Sequence, residues 1–268
     1  MPVLLIGSLT MFLCTASLAT GWPAAASTWI LNIVLAILLV MQFRLWDDLS
    51  DVDSDQSFYP ERVLCQAKSL VGFRIVLGLL FAVNVTLLAA YKSERSLITF
   101  LILNFLVLAW YSVRGRVRFG SVFSQTIVLL KYPVFVYLLG SHAGGPERML
   151  NSSYAMSLTF LCFCIYELLH DNRVGPIKHV QKWLMIELVA MVLVGILMLK
   201  DLLGRSQMLV FVHTGLVVMG IVVLARLFLR FRNQVPPGRW CYAVFLVGVA
   251  WLLNYALASY PVSVVRVP

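Results

Sequence analysis

The sequence has 268 residues, 61% of them apolar and 12% charged, with a formal net charge of +9 from 21 Lys and Arg against 12 Asp and Glu. Soluble globular domains carry roughly one quarter charged residues, so this composition excludes one, and it assigns the basic excess to a membrane surface and not to nucleic acid. The five cysteines (Cys14, Cys65, Cys162, Cys164 and Cys241) lie mostly in apolar stretches without a paired CxxC spacing, which argues against a disulfide framework or a thiolate zinc site.

In chain order, apolar runs fall at about 3–20, 28–46, 70–91, 96–113, 120–140, 153–169, 183–199, 207–229 and 240–260. Each approaches the ~20 residues that a spanning helix needs. The breaks between them carry turn chemistry, including Pro60, Gly144-Gly145-Pro146, Gly175-Pro176 and Pro236-Pro237-Gly238. The pattern predicts one all-α membrane domain over residues 1–268, a nine-transmembrane-helix bundle with a central cavity. Ala24, Ala25, Ala26 and Ser27 resemble a signal-peptidase site, but no Lys or Arg precedes Arg44, so the first run reads as a retained helix.

Fourteen Lys and Arg fall at the ends joined by loops 2–3, 4–5, 6–7 and 8–9, six fall at the opposite ends, and Lys131 lies within the fifth run. The positive-inside rule then places the first set of loops and the N-terminus in the cytosol.

Six of the twelve acidic residues lie between 47 and 61, following the second run. Such clustering costs self-repulsion that a cation would offset. If the helix continues through this segment, Asp48, Asp51 and Asp55 share one face, with Asp47 on its edge and Asp53 pointing away. Oxygen donors suit Mg²⁺, which usually takes one or two carboxylates and completes its shell with waters and substrate phosphates. The alternative is a solvated acidic loop. A second acidic pair, Glu167 and Asp171, stands four residues apart at the predicted cytosolic end of the sixth run. Arg62, Arg114, Arg116, Arg173 and Lys178 flank the two segments, as a diphosphate pocket requires; enforcing topology is the other reading of these cations.

Ionisable groups inside spans are costly and mark functional positions. Lys131 is placed to reach a diphosphate or to pair with Glu187. Asn104 and Gln125 either line the same cavity or bond between helices, and His213 falls near the outer end of the eighth run.

Asp47-Asp48-xx-Asp51-xxx-Asp55, running on to Pro60-Glu61-Arg62, resembles the first aspartate-rich motif, (N/D)DxxDxxxD, of the UbiA superfamily of intramembrane prenyltransferases. Tyr111-Ser112 with Arg114 resembles that family's tyrosine and basic segment, Lys131-Tyr132-Pro133 recurs in some members, and Glu167-xxx-Asp171 stands where its second motif belongs. The resemblance implies Mg²⁺-dependent transfer of an isoprenyl group from an isoprenyl diphosphate to a small lipophilic or aromatic acceptor within the membrane lipid. It assigns metal and catalytic roles to Asp48, Asp51, Asp55, Glu167 and Asp171. Diphosphate binding goes to Arg62, Arg114, Lys131, Arg173 and Lys178, at the cytosolic face of a cell inner membrane. A membrane terpene cyclase, or a transport or non-catalytic membrane protein, is the alternative, and no nucleic acid partner is expected.

Overall fold

The computed structural model describes residues 26–58, 60–114 and 127–140, together with Leu9, Phe12, Leu13, Met156, Thr159, Phe160 and Phe163. Regular structure among them is all helical: α1 (Ala26–Ser50), α2 (Val52–Phe58), α3 (Val63–Gln66), α4 (Val71–Tyr91), α5 (Glu94–Arg114) and α6 (Lys131–Leu139). Three segments, Ser27–Ser50, Val71–Tyr91 and Glu94–Val113, are long and apolar enough to cross a bilayer, matching the second, third and fourth expected runs. The described part of the fifth run is a shorter apolar helix, Ile127–Leu139. The first and sixth runs are represented by isolated helical positions. The last three runs lie outside the described residues.

The local chemistry accounts for these helices. At 1.5 Å per residue, the 25 residues of α1 reach about 37 Å, beyond the ~30 Å hydrocarbon core. The helix can therefore carry Asp47 and Asp48 to the membrane edge while its apolar body stays in lipid. Pro133 occupies the third position of α6, and its missing N–H denies the Leu129 carbonyl an i→i−4 donor, where helical residues 127–129 give way to a turn at Leu130. Ser93 starts α5: its hydroxyl accepts from the Ser96 N–H at 3.3 Å and its carbonyl from Leu97 N–H at 3.2 Å. Hydroxyls on exposed faces satisfy themselves within their own helix, Thr86 to the Ala82 carbonyl, Thr99 to Arg95 and Ser112 to Leu108, all within 2.9 Å.

α1 is the spine. It packs against α4 and α6, and α5 packs against the same two helices. Leu35, Leu39 and Phe43, at four-residue steps, give α1 a buried face, met by Leu88 of α4, Phe100 and Leu103 of α5, and Phe135, Val136 and Leu139 of α6. Ile75, Leu79 and Val83 of α4 and Phe105 of α5 are exposed. On a helix that is apolar all round, such a side suits lipid or a further helix.

The acidic segment departs from a straight continuation. Asp51 is a bend between α1 and α2, yet the i→i−4 ladder passes through it, from Asp51 N–H to the Asp47 carbonyl at 3.0 Å and from Asp55 N–H to the Asp51 carbonyl at 2.7 Å. The bent segment thus keeps helical spacing. α2 then packs against α3.

Candidate cation and diphosphate site

α2 buries Val52 and Asp55, three residues apart on one face, while Asp53 is exposed. Asp55 is only 2% exposed, a costly position for a carboxylate. Arg62, which precedes α3, donates from Nη1 to Asp55 Oδ2. The other oxygen, Asp55 Oδ1, is buried and finds no donor among the described residues. One turn before α2, Asp48 pairs with Arg44 at 3.0 Å, an i,i+4 contact between a half-exposed guanidinium and a largely buried carboxylate. Arg62, Asp47 and Asp55 are all within electrostatic reach of Asp48.

Asp47 turns the other way. Its Oδ1 accepts from the Tyr111 hydroxyl of α5 and its Oδ2 from the Lys131 ammonium of α6. Lys131 is 3% exposed, and its Nζ stands 5.3 Å from the Tyr132 ring centroid. Tyr132 in turn stacks on Phe163 at 3.7 Å, with Phe12 5.4 Å from Phe163 and 5.7 Å from Phe135. The start of α6 is therefore an aromatic wall behind a buried cation.

Two further polar fastenings hold these elements in register. Asn84 donates to Gln42 Oε1 at 2.8 Å, Gln42 donates to Asn104 Oδ1 at 2.7 Å, and Asn104 donates to the Phe100 carbonyl at 2.7 Å. At the opposite end, Lys92 Nζ donates to Asn32 Oδ1 at 2.8 Å and to the Leu139 carbonyl, the last of α6, at 2.9 Å. Burial pulls the Lys92 ammonium down to about 8 from its ordinary 10.5.

Of the expected site residues, the structure brings Asp48, Asp55 and Arg62 into one electrostatic neighbourhood, with Asp51 at the bend between them. Arg62 is engaged by Asp55, because a carboxylate this buried needs a cation. Lys131, within the fifth run, takes Asp47 as a partner at the level of Tyr111. Arg114 ends α5 at this same end of the bundle. Gln125, Glu167, Asp171, Arg173, Lys178, Glu187 and His213 lie outside the described residues. Asn104 bonds between helices, the second of its two expected roles. Gln42 and Asn84, each an amide inside an apolar run, bond between helices for the same reason.

Among the described residues, no three His, Cys, Asp or Glu side chains gather closely enough to hold a metal ion by themselves. Magnesium asks for less, commonly one or two carboxylates with waters and substrate phosphates. The all-oxygen donor set of Asp48, Asp51 and Asp55 fits that chemistry, and the unsatisfied Asp55 Oδ1 offers a lone pair to a cation. A scan against protein-family models finds no match to this chain, and searches of curated proteins and of solved structures find none either.

Proposed function

We propose that the chain is a nine-span intramembrane prenyltransferase, moving an isoprenyl group from its diphosphate to a small lipophilic or aromatic acceptor with magnesium at the acidic segment. The observation that carries this reading is the buried Asp55 carboxylate, half satisfied by Arg62 and half open, at the mouth of an apolar bundle. A solvated acidic loop gives no reason to bury an aspartate; a site that closes over a cation does.

In this reading the ion would take one or two carboxylates from among Asp48, Asp51 and Asp55, and when bound it supplies neutralisation of the leaving diphosphate. Arg62 balances Asp55 beside the ion, and its planar guanidinium suits phosphate oxygens. Lys131 stands at the same membrane end as a second cation. The allylic C–O bond breaks with both electrons leaving on the diphosphate. The acceptor's π electrons form the new C–C bond, and a proton is lost to solvent. The apolar tail of the substrate rests among the helices, each buried CH₂ contributing about 0.8 kcal/mol. Glu167 and Asp171, with Arg173 and Lys178, belong to the second half of the site. In this reading both halves lie on the cytosolic side, the side that the positive-inside rule gives to the basic loops, and the membrane is the cell inner membrane.

The test is to incubate membranes holding the full chain with labelled allylic diphosphates of several lengths, Mg²⁺ and an acceptor mixture. Label moving to an acceptor, and ceasing to do so in Asp48→Asn, supports transfer. An acceptor-independent hydrocarbon product makes the protein a cyclase, and no product at any chain length overturns the enzymatic reading.

A further inference from the structure

The acidic segment divides its labour. Asp47 and Asp55 are two turns apart on one hydrogen-bond ladder, both carboxylates, yet their surroundings differ in kind. Both oxygens of Asp47 are engaged, one by a neutral hydroxyl and one by an ammonium. Asp55 has one oxygen engaged and one open among the described residues.

We propose that Asp47 is the positioning residue of Lys131, standing apart from the cation-holding carboxylates, and that with Tyr111 it aims the Lys131 ammonium at the diphosphate end of the site. This rests on the prenyl-transfer reading only for the identity of what Lys131 meets.

Three physical arguments support it. First, an ammonium 3% exposed at a membrane-embedded helix needs a counter-ion, and Asp47, with its side chain 16% exposed, supplies one. Diverting that carboxylate to a metal would leave Lys131 uncompensated. Second, helical residues 127–129 and an αR Leu130 precede Lys131, so the ammonium lies inside the apolar helix Ile127–Leu139, where an ionisable group is costly and marks a functional position. Third, the triad joins α1, α5 and α6 from positions 47, 111 and 131. It fastens α6 to the end of α1 that carries the acidic segment.

The experiment uses the full chain in lipid nanodiscs and two probes: Mn²⁺, followed by electron paramagnetic resonance, and an unreactive allylic S-thiolodiphosphate. The variants are Asp47→Asn, Asp55→Asn and the double variant Asp47→Asn with Lys131→Gln. The double variant replaces the ion pair with an amide pair that buries no charge, so it keeps the fold where the single Asp47→Asn strands an ammonium; thermal unfolding monitors this. We expect the double variant to hold Mn²⁺ within about twofold of the unchanged chain and to bind the analogue about tenfold or more weakly, the loss of a charge-assisted contact. Lys131→Arg with Asp47 retained should keep analogue binding, and Asp55→Asn should weaken Mn²⁺ by about tenfold or more. Mn²⁺ affinity falling in the double variant as far as in Asp55→Asn would make Asp47 a metal ligand and overturn the assignment. Unchanged analogue affinity in the double variant would reduce the pair to a structural fastening and overturn it equally. An unchanged chain that takes up neither probe overturns the prenyl-transfer reading, and the assignment with it.

Discussion

Gln42 of α1 donates to Asn104 of α5 across 2.7 Å in the buried centre of the bundle, and that bond fixes the direction of a whole chain of amides. Because Asn104 donates to the Phe100 carbonyl, its own oxygen must accept from Gln42. The Gln42 oxygen then accepts from Asn84. Asn84 Oδ1 is left as the open end of the chain among the described residues.

The direction of the chain ranks three substitutions. Gln42→Leu strands the Asn84 amide and the Asn104 oxygen, Asn104→Leu strands the Gln42 amide, and Asn84→Leu strands one Gln42 oxygen while removing an unsatisfied one. The expected order of destabilisation is therefore Gln42 over Asn104 over Asn84. Each bond is worth about 0.6–2 kcal/mol, as for interhelical hydrogen bonds in membranes. Unfolding of the three variants in mixed micelles checks the order. Asn84→Leu emerging as the most damaging would mean that the chain does not run in this direction.

Arg62 and magnesium serve the same buried carboxylate in this account. Arg62→Gln should destabilise the chain by about 2–3 kcal/mol. That is below the ~3–5 of a fully buried pair, because the Arg62 side chain is 37% exposed. Millimolar Mg²⁺ should then raise the melting temperature of Arg62→Gln more than that of the unchanged chain, since Asp55 is free to take it. Equal Mg²⁺ responses would mean that the ion does not reach Asp55.

Lys92 gives a pH dependence whose sign follows from its lowered pKa. Below about 8 both folded and unfolded chains hold the proton, and the folded one bears the cost of a buried ammonium. Between about 8 and 10.5 the folded amine is neutral while the unfolded one remains protonated, so this group makes stability rise with pH across that window. Lys92→Gln should remove that rise. Melting curves of both proteins from neutral pH upward decide it, and parallel profiles contradict the burial of Lys92 as described.

Much of this was legible in the sequence, for identifiable reasons. The second, third and fourth runs stand out as spans because uninterrupted apolar stretches of this length have few other uses, and their limits agree with the helices to within a few residues. The helical spacing of the aspartates also survives, since the backbone ladder crosses the bend at Asp51. The bend itself left no Pro or Gly to announce it. The Asp47–Lys131 pair was hidden because the two residues are 84 positions apart and periodicity carries no long-range pairing. On the helical wheel Asp47 sits beside the acidic face; its direction is set by where α5 and α6 pack, and only the tertiary structure contains that. Gln42 and Asn84 show the opposite case: a polar residue inside an apolar run is itself the signal.

The central claim, that the acidic bend holds a magnesium-bound diphosphate, is tested most directly by equilibrium binding of a labelled allylic diphosphate to the purified full chain, before and after chelation of Mg²⁺. Saturable binding is expected, lost on chelation, lost in Asp55→Asn and retained in Lys92→Gln at the far end of the bundle. Binding indifferent to both chelation and Asp55→Asn, or no saturable binding at all, would contradict it.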